Sequence, residues 1–358
     1  MKEKRLDYLD MAKGIGIILV VIGHSGMASD GVITWLASFH MPLFFIISGM
    51  LLYHKREETR LLRSSVKRKA RSLLVPYGFF SIFYLAIDLW YVSKGQEIWM
   101  EDAVLQTVSF YGLSVLWFLP SLFLVEILFL TIRKHTSFSV TAVCCCGLGL
   151  VSLLLKRLYE LYYISGDSLF LFWLGYLMQA LIRSGIAVIF LAAGYYLMWL
   201  MEKEKVSRKI SGIWYLLAAV VFFAANLWIA YGNDRVDLRF MIFGNPVLYF
   251  GGAFLGSMAV LCLCKALPSM KVLAYLGSNS LIIMLTHLDC MVMYMAHRFA
   301  YFVKKLVPFG GKYTLWIYVT LALFLMEMVI IYVVNRFFPF LLGRPFPKEH
   351  SEQHKKAA

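Results

Sequence analysis

Ten stretches of mostly apolar residues dominate this sequence. Each is close to the about 20 residues that a helix needs to cross the hydrocarbon core of a bilayer. Of the 358 residues, 61% are hydrophobic and 16% are charged, and a soluble protein cannot hide that much apolar surface. We therefore predict an all-α, polytopic membrane protein of about ten transmembrane helices, at residues 14–28, 32–53, 73–93, 115–132, 138–155, 184–201, 211–231, 246–264, 272–296 and 314–335.

One further apolar stretch, SLFLFWLGYLMQALI at residues 168–182, is short and is followed directly by Arg183-Ser184-Gly185. We predict a re-entrant or interfacial helix at this position. The alternative is an eleventh span, which would reverse the orientation of every later segment.

The distribution of Lys and Arg predicts the orientation, because these residues collect in cytoplasmic loops. With the N-terminus inside, 25 of the 35 Lys and Arg lie in segments 1–13, 54–72, 133–136, 202–210, 265–271 and 336–358. An eleventh span would spoil this asymmetry. We therefore predict a multi-pass protein of the plasma (cytoplasmic) membrane with both termini in the cytoplasm. Residues 1–340 would form the membrane domain, and residues 341–358 a disordered cytoplasmic tail.

The same distribution accounts for the formal net charge of +14. Because the excess belongs to one membrane face, we expect membrane lipids and no nucleic acid among the partners. The basic start, the apolar run and Gly26-Met27-Ala28 also fit a cleavable signal peptide, although a retained first helix is favoured. All six cysteines fall inside predicted spans, so the sequence supports neither a disulfide framework nor a cysteine metal site.

Ionisable groups inside membrane spans are costly and point to function by default. Lys13 stands at the inner mouth of the first span and shares a helix face with His24, eleven residues later. Asp10 lies one turn below Lys13, so a polar stripe would run from the cytoplasm into the membrane. The groups within spans are His24, His40, Asp88, Glu126, His287, Asp289 and Glu327.

Three of these groups, His24, His40 and His287, are expected at a similar depth. A neutral histidine there is a competent general base, because its ordinary pKa is already near neutrality. A packing role for each histidine is the alternative, and three histidines could also hold zinc; we expect no metal. Glu126 is interpreted either as an acid that orients a histidine or as a satisfied polar contact. Asp88 and Glu327 are interpreted as structural.

The basic loop before the third span contains Arg68 and Arg71, three residues apart. On one helix face, their planar guanidinium groups would suit the phosphates of a ligand at the cytoplasmic mouth. The alternative is an anchor for anionic lipid headgroups.

Taken in order, these segments resemble the acyltransferase type 3 family of integral membrane acyltransferases, and most closely its fucose 4-O-acetylase-like branch. The similarity covers about Arg5 to Arg336. It rests on RLDYLDMAKGIGIILVVIGHSG, FHMPLFFIISGMLL, VKRKARSLLVPYGF, LWFLPSLFLVE and GSNSLIIMLTH.

The resemblance implies transfer of an acyl group, commonly acetyl, from cytoplasmic acyl-CoA to a carbohydrate hydroxyl of a glycan or a lipid-linked glycan. Acyl-CoA would be a co-substrate, with no permanently bound cofactor. The family's first-span histidine matches His24, and its paired loop arginines match Arg68 and Arg71. Lys13 stands where many members have arginine, so the positive charge is kept without the bidentate fork.

The full set of predicted site residues combines these observations. His24, Lys13, His287 and Glu126 are the catalytic candidates, Arg68 and Arg71 would bind acyl-CoA, and the acceptor side would be lined by His40, Ser48 and Trp117. The competing interpretation is a transporter or flippase for an acyl group or lipid-linked sugar, in which the histidines form a relay. A sensory or scaffold membrane domain without activity is a third possibility.

Overall fold

The computed structural model describes residues 6–162, 168–203, 211–307 and 314–345, and within these ranges the chain is helical without a β-strand. The α-helices in this part of the chain are α1 (Asp7–His24), α2 (Asp30–Ala37), α3 (His40–His54), α4 (Leu62–Lys69), α5 (Val75–Ser93), α6 (Met100–Val108), α7 (Phe118–His135), α8 (Phe138–Tyr162), α9 (Leu169–Lys203), α10 (Gly212–Tyr231), α11 (Pro246–Ala266), α12 (Lys271–Ser278), α13 (Ser280–Thr286), α14 (Val292–Leu306) and α15 (Leu315–Phe337).

Eight helical segments of the described chain are long and apolar enough to cross a membrane, which confirms a multi-pass helical membrane protein. The first and ninth predicted spans are not among them. Helix α1 has 18 residues and carries Asp7, Asp10 and Lys13, and the ninth span is divided into α12, α13 and α14. The number ten therefore stays a prediction.

Helix α9 corrects the prediction for residues 168–182. It runs from Leu169 to Lys203 as one helix of 35 residues, so neither a separate re-entrant helix nor an eleventh span forms. Its length is about 52 Å, which exceeds the thickness of the hydrocarbon core. Arg183-Ser184-Gly185, interpreted from sequence as a break, is buried in the middle of this helix. A single helix stands where one span was predicted, so the predicted order of inner and outer loops stays a prediction without change.

Several segments predicted to be cytoplasmic meet at one end of the molecule. Arg56 Nη2 lies 3.2 Å from Glu202 Oε2, and Ser269 Oγ donates to Asp7 Oδ2 at 3.0 Å. The main chain of Arg71 packs closely against Gly343. The first contact joins two of the predicted inner loops to each other, and the other two join each end of the described chain to one inner loop. Which side of the membrane this end faces stays a prediction.

The predicted boundary between membrane domain and tail falls within a short 3₁₀-helix, Pro339–Leu342. Leu342 is buried, and Arg344 Nη1 donates to Asn335 Oδ1 at 3.1 Å. Residues 341–345 are therefore folded against the helices. The remainder of the predicted tail, 346–358, lies outside the described residues.

Two glycines bring the first helix and the divided ninth span into direct contact. A Cβ at Gly14 would collide with the main chain of Leu273, and a Cβ at Gly277 would collide with the main chain of Asp10. Because both positions lack side chains, the backbones of α1 and α12 approach closely. This approach places the end of α1 beside the end of α13, where the functional site lies.

Candidate active site

Two histidines are in direct contact where α1 and α13 end. His24 is the last residue of α1, and His287 directly follows Thr286, the last residue of α13. His24 Nδ1 lies 2.9 Å from His287 Nε2, and the two rings stack with centroids 5.1 Å apart and planes 14° apart. The two imidazoles, which were expected at a similar depth, are thus hydrogen-bonded to each other.

The hydrogen bonds of His287 define the tautomer of both neutral rings. His287 Nδ1 lies 2.8 Å from the carbonyl oxygen of Ile283 and 3.1 Å from that of Met284. A carbonyl can only accept, so Nδ1 carries the proton of His287 and its Nε2 is an acceptor. His24 must then donate its own proton from Nδ1 to that acceptor. The Nε2 atom of neutral His24 is left with a free lone pair.

The two histidines differ sharply in exposure. His287 is fully buried, whereas the side chain of His24 is exposed to a cavity. Thr286 Oγ1, beside His287, lies 2.9 and 3.0 Å from the two carboxylate oxygens of Glu327. The chain then leaves its helical path at residues 287–291, where Met291 has a φ of 59°. Irregular backbone at this depth is tolerated where it is buried in protein or lines a cavity.

The cavity beside His24, which we call the histidine cavity, has a volume of about 170 Å³. It is enclosed by the ends of α1 and α13, by α2 and α3, by the 3₁₀-helix Ser114–Trp117 and by the loop between α10 and α11. Its polar and aromatic lining includes His24, His40, Ser114, Trp117, Arg235, Asp237 and Arg239.

His40 lies in the first turn of α3, and the chain bends between α2 and α3 at Ser38 and Phe39. Pro42 is also in the first turn of α3, where proline is tolerated. His40 Nδ1 donates to the carbonyl oxygen of Leu36 at 2.6 Å, so the Nε2 atom of the neutral ring is an acceptor.

Trp117 also lines the histidine cavity, but its side chain is only 7% exposed. The guanidinium carbon of Arg183 lies 5.0 Å from the centroid of the Trp117 ring. Because one face of the indole is covered by this cation and the ring is almost buried, Trp117 offers an edge to the cavity and not an open stacking face.

Arg183 is a residue whose role the sequence did not predict. Its side chain is fully buried in α9 and donates to Ser121 Oγ at 2.9 Å and to the carbonyl oxygens of Tyr111 and Arg239 at 3.0 and 3.2 Å. It therefore fastens two loops to the helix bundle. The available signal was a lone arginine within an apolar stretch, a pattern that also fits a helix boundary.

The loop between α10 and α11 contributes Arg235, Asp237 and Arg239 to the histidine cavity. A short β-bridge joins Asp237 and Ile242 and gives the loop a defined shape. Burial lowers the pKa of Arg239 from its ordinary value, although the guanidinium remains charged at neutral pH. None of these residues was singled out from the sequence.

A second cavity of about 350 Å³ adjoins the first and shares Ser114 and Leu288 with it. We call it the tyrosine cavity, because Tyr84, Tyr91 and Tyr294 line it together with Asp88 and Asp289. Asp88, interpreted from sequence as structural, therefore lies at a cavity close to the histidine pair. Aromatic rings with nearby carboxylates are well suited to contacts with a sugar.

A third cavity, of about 160 Å³, lies between α1, α3, α7 and α13 and is mostly apolar. We call it the lysine cavity. Lys13 and Ser48 line it, and so does Met284, whose carbonyl oxygen accepts from His287. Lys13 Nζ lies 2.6 Å from Asp10 Oδ1. Lys13 therefore does not share a cavity with His24, and Ser48 does not join His40 on the predicted acceptor side.

The lysine and histidine cavities share no lining residue among the described residues. The wall between them includes Trp117 and Phe118, consecutive residues whose ring centroids are 6.0 Å apart. The polar stripe predicted along α1 is therefore interrupted, and a ligand that passes from one cavity to the other must displace side chains in this wall.

Glu126 is almost fully buried in α7 and contacts a serine and a lysine, not a histidine. Its Oε1 accepts from Ser48 Oγ at 2.6 Å and from Lys69 Nζ at 2.8 Å. Of the two interpretations offered by the sequence, the structure shows the satisfied polar contact, although Oε2 has no hydrogen-bond partner. Lys69, which lies between Arg68 and Arg71, was missed.

Arg68 and Arg71 do not continue one regular α-helical face. Helix α4 ends at Lys69, and a turn of π-helix, Ala70–Leu74, carries Arg71. Arg68 is paired with Glu57, a carboxylate that is only 4% exposed, while the Arg71 side chain is exposed. The two arginines thus differ, because Arg68 neutralises a buried acid and Arg71 remains open to an external anion.

The three histidines do not form a metal site. Both ring nitrogens of His287 are engaged in hydrogen bonds, and His40 is bonded to Leu36. Within the described ranges, no group of three or more His, Cys, Asp or Glu side chains is arranged to hold a metal ion.

The fold and site thus define a multi-pass helical membrane protein with a histidine pair at the ends of two helices. Comparison with known families agrees with this class. The family model described as an acyltransferase domain, that of the type 3 acyltransferases, matches residues 6–335. The chain belongs to this family of membrane acyltransferases. No curated protein and no solved structure matches the chain.

Proposed function

We propose that this membrane acyltransferase transfers an acetyl group from acetyl-CoA to a carbohydrate hydroxyl of a cell-surface glycan or a lipid-linked glycan precursor, at the plasma membrane. The observation that carries the proposal is the hydrogen bond from His24 Nδ1 to His287 Nε2. It leaves the second ring nitrogen of His24 free to act as a base, and His24 lines a cavity large enough for part of a sugar.

In the proposed reaction, His24 Nε2 accepts the proton of the acceptor hydroxyl as its oxygen attacks the thioester carbonyl carbon. The carbon–sulfur bond then breaks, the acetyl group stays on the sugar oxygen, and the CoA sulfur leaves with the proton from His24. His287 is a positioning residue, because its Nε2 holds the His24 ring and stabilises the imidazolium formed during attack.

The acceptor would occupy the histidine and tyrosine cavities. His40 Nε2 can accept a hydrogen bond from a sugar hydroxyl, and the edge of Trp117 limits the space beside His24. The tyrosine cavity, which shares Ser114 and Leu288 with the first, provides aromatic surface for a ring. Ser48 belongs instead with the donor, since it lines the lysine cavity.

The donor would enter from the end that carries Arg68 and Arg71. Arg71, with its exposed guanidinium, is the stronger candidate for the CoA phosphates. Arg68 would have to contact a phosphate while it remains paired with Glu57. The pantetheine arm would follow the lysine cavity past Lys13 and Ser48. The thioester would then reach His24 by displacing side chains in the wall that includes Trp117 and Phe118. Glu126 supports this path by holding Ser48 and Lys69. No cofactor needs to remain bound between turnovers.

The test is acetyl transfer by the purified protein in lipid nanodiscs. Radiolabelled acetyl-CoA is incubated with a saccharide panel, and labelled saccharide is separated and counted. We expect label in saccharide that depends on the protein. Absence of any transfer together with saccharide passage across proteoliposomes would contradict the proposal and support the flippase interpretation.

A further inference from the structure

Two arginines face the histidine cavity from the loop that closes it. Arg235 and Arg239 both line this cavity together with His24. Asp237 is the carboxylate in the same lining, and its Oδ1 accepts from the backbone N–H groups of Arg239 and Phe240, at 2.8 and 3.3 Å. The acid thus stabilises the turn of its own loop.

No salt bridge in the part of the chain that the structure describes includes Arg235 or Arg239, and the carboxylates of Asp237 and Asp289 act on the Arg239 guanidinium only from beyond salt-bridge distance. Arg239 Nε is buried and has no hydrogen-bond partner. A buried donor of this kind is costly unless a ligand satisfies it. Arg239 therefore has a donor available to an external acceptor group, and the exposed Arg235 side chain belongs to the same cavity lining.

A third guanidinium increases the positive potential. Arg183 lies behind Trp117, is fully buried, and has only neutral hydrogen-bond partners, the hydroxyl of Ser121 and backbone carbonyls. In a low-dielectric surrounding, this charge acts on the cavity with little screening.

The orientation of the protein in the membrane does not explain these cations. The positive-inside rule accounts for the basic end formed by residues such as Arg56, Arg68 and Arg71. Arg235 and Arg239 instead lie on the loop between α10 and α11, which the same rule predicts to be outside. Their presence at the cavity requires another reason, and an anionic ligand supplies one.

We propose that the acceptor carries an anionic group, a carboxylate or a phosphate, which Arg235 and Arg239 bind while the hydroxyl to be acylated lies at His24. This inference rests on the proposed acyl transfer and adds the charge class of the acceptor. The planar guanidinium fork matches both anions, so the shared chemistry is a negatively charged oxygen group beside a sugar ring.

The experiment measures saccharide binding to the full-length protein in nanodiscs by calorimetry, without acyl-CoA. Three probes have the same ring and differ in charge: methyl β-glucoside, methyl β-glucuronide and glucose 1-phosphate. The variants are Arg235→Gln and Arg239→Gln. Arg157→Gln is the matched control, because Arg157 is 71% exposed on α8 and does not line the cavity.

We expect at least one anionic probe to bind about tenfold or more tightly than the neutral glucoside, since charged hydrogen bonds are the stronger ones. Either cavity substitution should remove most of that preference, and Arg157→Gln should leave it unchanged. Preference for the glucuronide would identify a carboxylate-bearing glycan, and preference for glucose 1-phosphate a phosphate next to the sugar.

Equal or absent binding of the neutral and anionic probes would overturn the inference, as would a preference that survives in both cavity variants. If Arg239→Gln fails to fold, Arg235→Gln decides alone, because the exposed Arg235 side chain has no hydrogen-bond partner within the described ranges. Failure of the proposed function is a separate result, seen as no acetylated product while charge-dependent binding remains.

Discussion

His24 Nδ1 and His287 Nε2 are 2.9 Å apart, and the carbonyls of Ile283 and Met284 determine which of the two rings donates. The buried ring holds the exposed ring, and the exposed ring keeps a free nitrogen. This arrangement resembles the base and its orienting partner in other acyl-transfer sites, with a neutral histidine in place of the carboxylate. Each part of it predicts a different response to substitution.

His287→Ala should lower the turnover number for acyl transfer by about 10²-fold, because the His24 ring loses its orientation. His287→Gln should restore a substantial part, since the glutamine oxygen can accept from His24 Nδ1 near the place of Nε2. The KM values for donor and acceptor should change little in either variant. Equal activity of the Ala and Gln variants, or an effect confined to KM, would contradict the positioning role.

Arg71→Ala should raise KM for acyl-CoA more than KM for the acceptor, because the exposed guanidinium is available to the CoA phosphates. The double substitution with Arg68→Ala should increase that difference. Steady-state kinetics with each substrate varied in turn measures it. If the two KM values rise equally, the arginines contribute to folding or orientation instead.

Arg68→Ala alone should also lower stability by about 1 kcal/mol, a modest amount because Arg68 is 40% exposed and Glu57 keeps Arg60 at 3.8 Å. A thermal shift of the detergent-solubilised protein reports this loss. Arg71→Ala is the matched control and should leave Tm unchanged.

Lys69→Ala should destabilise the protein by about 3–5 kcal/mol, because it leaves the buried Glu126 carboxylate without its cation. Glu126→Gln in the same chain should recover most of the loss, since the neutral amide still accepts from Ser48. A double-mutant cycle in thermal unfolding measures the coupling. Additive effects of the two substitutions would show that the pair does not act as a unit.

The orientation has a direct test at the end of α9. Cysteine at position 203 should be labelled by a membrane-impermeant maleimide only after the cells are opened, because Lys203 is predicted to be cytoplasmic. Cysteine at position 234, on the loop between α10 and α11, should be labelled in intact cells. The reverse pattern would overturn the predicted orientation of both loops.

Much of this architecture follows from the sequence because the membrane imposes length and polarity on each helix. Apolar runs locate the helices, and equal depth brings His24 and His287 together. The break after His287 and the continuity of α9 could not be predicted, since both depend on tertiary contacts. From the sequence, Arg183 is interpreted as a helix boundary. Only the folded chain shows that its partners are Ser121 and the carbonyls of Tyr111 and Arg239.

The partners of the buried charges could not be predicted from the sequence either. Glu126 was interpreted either as an acid that orients a histidine or as a satisfied polar contact, and the sequence could not choose because hydrogen bonds select partners by direction and distance. Lys69 reaches it from a basic loop whose charges alone indicated only lipid or phosphate binding. Arg235 and Arg239 lie in a loop without a recognisable motif, and only the folded chain places them opposite His24.

His24 is proposed as the general base, and single-turnover acetyl transfer is the sharpest test of this role. With donor and acceptor saturating, His24→Ala should lower the rate constant by about 10²–10⁴-fold, while acetyl-CoA binding stays at the wild-type level. His135→Ala is the control, because His135 is exposed at the end of α7. A wild-type rate constant in the His24→Ala protein would contradict the account.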